Sequence, residues 1–239
     1  MNHIHSSTKE YDAIIVGAGF SGLYQLICLR DQLGLKCVVL ETGDDVGGTW
    51  YWNRYPGARC DTESHAYSYY FSDELLKEWT WSERYPGHEE IRKYMNFVAS
   101  KFDLKKDILF KQKVTSAKFI EDSNNWNVKT DNNNFKCKFL ITAVGCLSNT
   151  NIPKIKGLKD FEGSYYHTGN WPKDGVSFVN KTVGQIGTGS TGIQAVPVIA
   201  AEAKHLTVFQ RTANYSIPAR NKPLTCLLYT SPSPRDTPQ

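Results

Sequence analysis

The stretch Tyr11-Asp12-Ala13-Ile14-Ile15-Val16-Gly17-Ala18-Gly19-Phe20-Ser21-Gly22 decides the reading of the fold. Its first half is a short, β-branched apolar run, the pattern of a strand buried on both faces. Its second half has the form G-x-G-x-x-G, and Leu23 to Leu33 then takes up helical spacing. Lys36 to Glu41 reads as a second buried strand ending in an acid, and Glu41 lies 19 residues after Gly22. At that distance a helix returns the chain to a parallel neighbour whose tip meets a ribose. The sequence therefore specifies a βαβ unit built to hold a dinucleotide.

The pattern recurs. Lys181 to Ile186 leads into Gly187-Thr188-Gly189-Ser190-Thr191-Gly192, Ile193 to Ala203 is helix-like, and Leu206 to Arg211 closes the unit. Arg211 again stands 19 residues after the last glycine, so an acid at one tip is replaced by a base at the other. A carboxylate accepts hydrogen bonds from both hydroxyls of an unmodified adenosine ribose, as in FAD or NAD, and repels a 2′-phosphate. A guanidinium forms a charge-assisted fork to that phosphate. Arg211, assisted by Thr212, is the candidate reader of the 2′-phosphate. In each copy the glycines let the backbone approach a pyrophosphate at the positive end of the helix. The expected fold is α/β, with two Rossmann-type units and an inserted β-meander.

Between the copies, Ser72 to Trp79 and His88 to Phe102 are expected helices, the second with Ile91, Tyr94, Phe97, Val98 and Phe102 near helical spacing. Short strands follow over Phe110 to Phe119, Trp126 to Thr130 and Phe135 to Ile141, separated by the Asn- and Asp-rich segments Asp122–Asn125 and Asp131–Asn134. Ala143-Val144-Gly145 follows the apolar run Phe139 to Thr142.

Composition sets the outer limits. The chain has 239 residues, 40% hydrophobic and 22% charged, with a net charge of +4 and no block of like charges, so an ordinary globular protein is expected and nucleic-acid binding is not indicated. No apolar run reaches the ~18 residues of a membrane span, and Met1 to Glu10 is too polar for a signal-peptide core, which makes a cytoplasmic location the expectation. Cys28, Cys37, Cys60, Cys137, Cys146 and Cys226 form no C-x-x-C pair. Neither a metal site nor a disulfide framework is expected, and the cysteines read as mostly buried thiols. Cys226 to Asp236 resembles the translation of a transposase adapter used in short-read library preparation, so residues 226–239 are set aside as an expected artefact.

Two further patterns are specific. Phe161, Gly163, His167, Trp171 and Pro172 satisfy Phe-x-Gly-x-x-x-His-x-x-x-Trp-Pro. Gly47, Gly48 and Trp50, then Tyr55, Pro56 and Gly57, then Asp61, form Gly-Gly-x-Trp followed by aromatic-Pro-Gly and an acid. On these motifs residues 9–225 resemble the flavin-dependent Baeyer-Villiger monooxygenases of the phenylacetone and cyclohexanone monooxygenase type. The related amine- and sulfur-oxidising flavin monooxygenases usually lack the Trp-Pro ending.

The resemblance implies that NADPH reduces FAD, that reduced flavin activates O2, and that one oxygen is inserted next to a ketone carbonyl to give an ester or lactone. It implies an FAD-binding part over residues 1–148 and an NADP-binding part over 149–225, each the N-terminal portion of its domain. Cofactor contacts, to FAD or NADPH, are implied at Gly17, Gly19, Phe20, Ser21, Gly22, Glu41, Gly48, Thr49, Trp50, Arg59, Cys60, Asp61, Tyr67 and Val114. They are implied likewise at Gly187, Thr188, Gly189, Ser190, Thr191, Gly192, Gln194, Arg211 and Thr212. Ala143-Val144-Gly145 resembles the small-residue turn that packs against FAD. Asp61 is the implied catalytic residue, placed to orient an arginine supplied from further along the chain, whereas His167 reads as architectural. A nitrogen- or sulfur-oxidising flavin monooxygenase and a non-catalytic dinucleotide-binding redox module are the competing readings. Val183, Ile186, Leu206 and Val208 are expected on an under-covered sheet, and the chain by itself is expected to be inactive.

Overall fold

The computed structural model describes residues 8–224, so the adapter-like stretch and Cys226 lie outside the described residues. The chain divides into two units, one comprising residues up to Arg54 with Ile91–Lys173, the other Tyr55–Glu90 with residues from Asp174 onward. In chain order the helices are α1 (Phe20–Ile27), α2 (Thr49–Trp52), α3 (Asp73–Glu78), α4 (His88–Lys101) and α5 (Ser190–Glu202). The strands are β1 (Lys9–Val16), β2 (Cys37–Leu40), β3 (Ile108–Leu109), β4 (Val114–Ile120), β5 (Asn125–Thr130), β6 (Asn134–Thr142), β7 (Thr182–Ile186) and β8 (His205–Phe209).

The first unit is built on a six-stranded sheet in the order β3-β2-β1-β6-β5-β4. β1 pairs in parallel with β2 on one side and β6 on the other, which places its Val16 end, and the glycine turn after it, inside the sheet rather than at an edge. β4, β5 and β6 form the antiparallel meander, and β6 serves both the meander and the parallel half. Alternating side chains fill both faces. Ile14, Val38, Leu40, Val128, Phe135 and Cys137 form one cluster, while Ala13, Ile15 and Val39 are fully buried on the other side. Truncating Ile14 or Ile15 to Ala costs ~2 to 5 kcal/mol, because a closely packed interior relaxes only in part around the cavity. α4 buries Ile91, Tyr94, Met95 and Val98 at helical spacing and carries Glu89 and Glu90 in its first turn and Lys101 in its last, charges that suit the helix dipole.

Two expectations are corrected here. The run from Phe110 to Phe119 is not one strand. Leu109 ends β3 beside β2, and the chain then turns away because Lys111 N–H donates to Gly43 O at 2.9 Å and Gln112 N–H to Glu41 O at 2.8 Å; pairing resumes only at Val114. The helix expected over Leu23 to Leu33 begins earlier, at Phe20, and passes into a π turn at Cys28–Gln32.

In the second unit β7 and β8 pair in parallel, with α5 between them in sequence burying Ala195 and Ile199. Val183 and Leu206 are half-buried, while Ile186 and Val208 remain exposed at 71% and 38%. Residues 55–90, in the same unit, are held by backbone bonds of their own: His88 N–H to Ala58 O at 2.9 Å, Cys60 N–H to Pro86 O at 3.0 Å and Ser64 N–H to Arg84 O at 2.7 Å. α3 is capped by Ser72 Oγ, which accepts from Leu75 N–H at 3.2 Å. Of the cysteines, Cys37, Cys60 and Cys137 are buried, Cys28 is half-buried and Cys146 is exposed. Burial pushes the Cys37 and Cys137 thiols up to about 11, which leaves them unreactive at neutral pH.

Candidate dinucleotide sites

The two glycine turns are closed by the same contacts. Gly17 N–H donates to Leu40 O and Gly187 N–H to Phe209 O, both at 2.9 Å, so each turn is tied to the end of the second strand. A Cβ on Gly22 would lie 1.8 Å from Gly17 O, and one on Gly192 would lie 2.5 Å from Gly187 O, so in each copy the sixth position admits no side chain. Gln185 adds a clamp in the second copy, its Nε2 donating to Gly187 O at 3.2 Å and Gly192 O at 3.1 Å. Both turns deliver the chain into a helix whose first turn carries no acidic residue, leaving the positive end open to an anion.

At the first turn Glu41 is buried, 5% exposed. Its Oε2 accepts from Ala18 N–H and its Oε1 from Gly43 N–H, each at 2.7 Å. A carboxylate oxygen has two lone-pair directions, so one on each oxygen is left for a diol. Gly48 crosses close to Gly19, where a Cβ would meet Gly19 Cα at 2.7 Å, and it leads into α2 with Thr49 half-buried and Trp50 buried. Phe20 packs on Tyr94 with ring centroids 6.1 Å apart, Ser21 is exposed, and Val114 opens β4 half-buried. Ala143 abuts the turn, its N–H donating to Val16 O at 2.9 Å. These residues fit the adenosine and pyrophosphate of a dinucleotide: a buried carboxyl group with free acceptor directions stands at the strand tip, beside a helix start that carries no acidic residue.

The second site differs by one residue. Val16 pairs with Leu40, which puts Glu41 directly past the paired end of β2; Ile186 pairs with Phe209, which puts Gln210, not Arg211, in that place. Gln210 Nε2 donates to Thr188 Oγ1 at 3.0 Å, and Asn214 Nδ2 reaches Thr188 O at 3.0 Å and Oγ1 at 3.2 Å. The loop carrying Arg211 and Thr212, both exposed, is thereby held against the glycine turn. Gly189 has an ordinary φ of −68° and open space where a Cβ would stand, so the fold itself does not require glycine there. The open space leaves room for a group pressed against the backbone. Ser190 is exposed and Thr191 half-buried at the start of α5.

Gln194, also on α5, faces the protein. Its Oε1 accepts from Tyr55 O–H at 2.8 Å and from Arg59 N–H at 3.3 Å, and its Nε2 donates to Arg59 O at 3.1 Å. Burial raises the Tyr55 phenol above its ordinary value of 10.0 against a hydrogen bond with Thr191 that lowers it, with Asp61 adding to the rise, which keeps it a donor. Arg59 Nη1 meets Glu83 at 3.4 Å and Tyr85 O at 3.0 Å, Cys60 is buried, and Asp61 is exposed at the end of this loop. Tyr67 lies further on, half-buried, with its N–H on Glu63 O at 3.0 Å. The second unit therefore brings Tyr55, Gly57 and Arg59 against Gln194 of α5, with Cys60 and Asp61 next along the loop; in the first unit Glu41 is bonded to Ala18 of the glycine turn and Gly48 lies against Gly19, with Val114 apart at the start of β4.

His167 is half-buried, and its Nδ1 accepts from Gly169 N–H at 3.1 Å, capping a short turn at Thr168–Asn170, while Tyr166 packs on Trp171 with centroids 5.6 Å apart. Lys173, next to Pro172, pairs with Asp44, and Asp44 also accepts from Tyr51 O–H at 2.6 Å. Lys173 and then Tyr51 hold the Asp44 carboxyl down to about 2, from an ordinary 3.8. Sequence reading missed this link, since neither residue belongs to a motif and they stand 129 positions apart.

The chain matches the family model described as flavin-binding monooxygenase-like over residues 11–222. It is 50% identical over 215 residues to a Baeyer-Villiger monooxygenase of Pseudooceanicola batsensis, covering 90% of this chain and 39% of that protein. It is 49% identical to a cyclohexanone 1,2-monooxygenase of Acinetobacter sp, covering 92% and 40%. A solved structure of an oxidised steroid monooxygenase bound to NADP superposes with a TM-score of 0.87 at 53% identity, covering 91% of this chain and 42% of the other. The chain thus spans about 40% of the length of these relatives. The two glycine turns, the acid directly past β2, the base two residues past β8 and the match over nearly the whole described chain agree: the chain belongs to the flavin-binding monooxygenase-like family.

Proposed function

We propose that this chain is the nucleotide-binding part of a monooxygenase that uses FAD, NADPH and O2 to convert a ketone to an ester or lactone. The observation that carries the reading is the opposed chemistry beyond the two second strands, buried Glu41 directly past β2 and exposed Arg211 two residues past β8. Bound FAD supplies the transfer of electrons from NADPH to O2. Glu41 takes the ribose hydroxyls, and the amides of the first turn, with Gly48, Thr49 and Trp50, cradle the pyrophosphate. Gly187 to Gly192 cradle the second pyrophosphate, and Arg211 with Thr212 take the 2′-phosphate. Asp61 orients an arginine supplied from elsewhere in the protein. In this reading the FAD part spans 1–148 and the NADP part 149–225, the substrate is a small ketone, and the enzyme is cytoplasmic. The relatives named Baeyer-Villiger and cyclohexanone monooxygenase support ketone oxidation, while a relative 44% identical over 220 residues is named a phenazine N-monooxygenase, which makes attack at nitrogen the second reading.

The test is anaerobic mixing of the full-length, FAD-loaded protein with NADPH and, separately, with NADH. Bleaching of the oxidised-flavin band faster with NADPH is expected; a flavin reduced by neither nucleotide overturns the proposal.

A further inference from the structure

Gln194 is implied as a cofactor contact by resemblance, yet its amide is engaged elsewhere. Of the four hydrogen-bonding positions of a glutamine amide, three are taken by Tyr55 and the backbone of Arg59. The approach is tight enough that a Cβ on Gly57 would stand 2.3 Å from Gln194 O, and Gly57 has a φ of +77°, so the Tyr-Pro-Gly turn is shaped to lie on α5. The loop is held on its other side by Cys60 N–H on Pro86 O and His88 N–H on Ala58 O. Asp61 is the next residue out.

We propose that Gln194 is a positioning residue that fastens the Tyr55–Asp61 loop to the helix whose N-terminus receives the nicotinamide dinucleotide, so that Asp61 is held in register with that nucleotide. The proposal rests on the FAD and NADPH reading above. It accounts for the aromatic-Pro-Gly-…-Asp spacing: Tyr55 supplies the anchor, Gly57 the close approach, Arg59 the backbone pair, and Asp61 the group that is carried. Gln194 itself touches no reacting atom.

The experiment is performed on the full-length, FAD-loaded protein with Gln194→Leu, Tyr55→Phe and the double variant, reading NADPH affinity and the saturating rate of flavin reduction separately. Gln194→Leu is expected to slow saturating reduction roughly tenfold or more, the effect of a misplaced group, while leaving the NADPH Kd within about threefold. Tyr55→Phe, which deletes one hydroxyl and keeps the ring, is expected to slow reduction by less, and to add nothing in the Gln194→Leu background. A Gln194→Leu protein that binds NADPH tenfold or more weakly and is reduced at the wild-type saturating rate would show a plain cofactor ligand and overturn the proposal. If Gln194→Leu does not fold, Tyr55→Phe decides: an unchanged saturating rate overturns the proposal, and a slowed rate with unchanged Kd supports it. Failure of the wild type to accept electrons from NADPH would instead remove the underlying function.

Discussion

Glu41 Oε2 accepts the backbone N–H of Ala18 at 2.7 Å, so the acid at the tip of β2 is bonded to the glycine turn it serves. The side chain is oriented before any ligand arrives, and a ribose need not bear the cost of ordering it. Glu41→Gln removes the charge and turns an amide N–H2 toward one of two backbone donors. FAD affinity is expected to fall ~10- to 150-fold, equivalent to ~1.5 to 3 kcal/mol, and Glu41→Arg is expected to abolish flavin retention. Flavin content after gel filtration checks this; a Glu41→Arg protein that keeps stoichiometric FAD removes the assignment.

Arg211 stands one residue past the place that Glu41 occupies, on a loop held by Gln210 and Asn214. Arg211→Ala is expected to weaken NADPH by ~10- to 150-fold and NADH hardly at all, because only the 2′-phosphate loses a charge-assisted partner. Flavin reduction titrated with both nucleotides decides it, and an unchanged preference means that another group discriminates.

For Asp61, Asp61→Ala is expected to leave FAD bound while flavin reduction by NADPH and ester formation fall together, by roughly tenfold or more. Full oxygenation of a test ketone by the variant would reduce Asp61 to a packing role.

The Asp44 carboxyl, held down to about 2 by Lys173 and Tyr51, links stability to acid. A folded-state value below the ordinary 3.8 means that the contribution is complete above about pH 4 and is lost as the pH falls toward 2. The pair is solvent-exposed, so the effect is small. Thermal unfolding of wild type and Asp44→Asn at neutral pH, pH 4 and near pH 2 should show wild type ahead at the first two and level at the last. A gap that persists near pH 2 contradicts the linkage.

Much of this was legible in sequence because the decisive signals are local. Strand β1, its glycine turn and α1 lie within one short stretch, and the apolar periodicity of α4 is visible residue by residue. What escaped is set by long-range pairing. The one-residue offset between Glu41 and Arg211 arises in the return from helix to strand, through a π turn and residues 33–36 in one copy and through residues 203–204 in the other, so equal spacing concealed unequal register. The break of the expected strand at Lys111 and Gln112 depends on carbonyls of Glu41 and Gly43. Tyr55 and Gln194 are 139 positions apart, and neither carries a sign of the other.

The central claim is that the two glycine turns serve one reaction, the insertion of oxygen beside a ketone. The most direct measurement gives the full-length, FAD-loaded protein cyclohexanone, NADPH and isotopically labelled O2, and examines the products by mass spectrometry. The account predicts a lactone carrying one labelled oxygen, formed in step with NADPH consumed. NADPH oxidation without lactone, in a protein that oxygenates an added amine or sulfide under the same conditions, would contradict it.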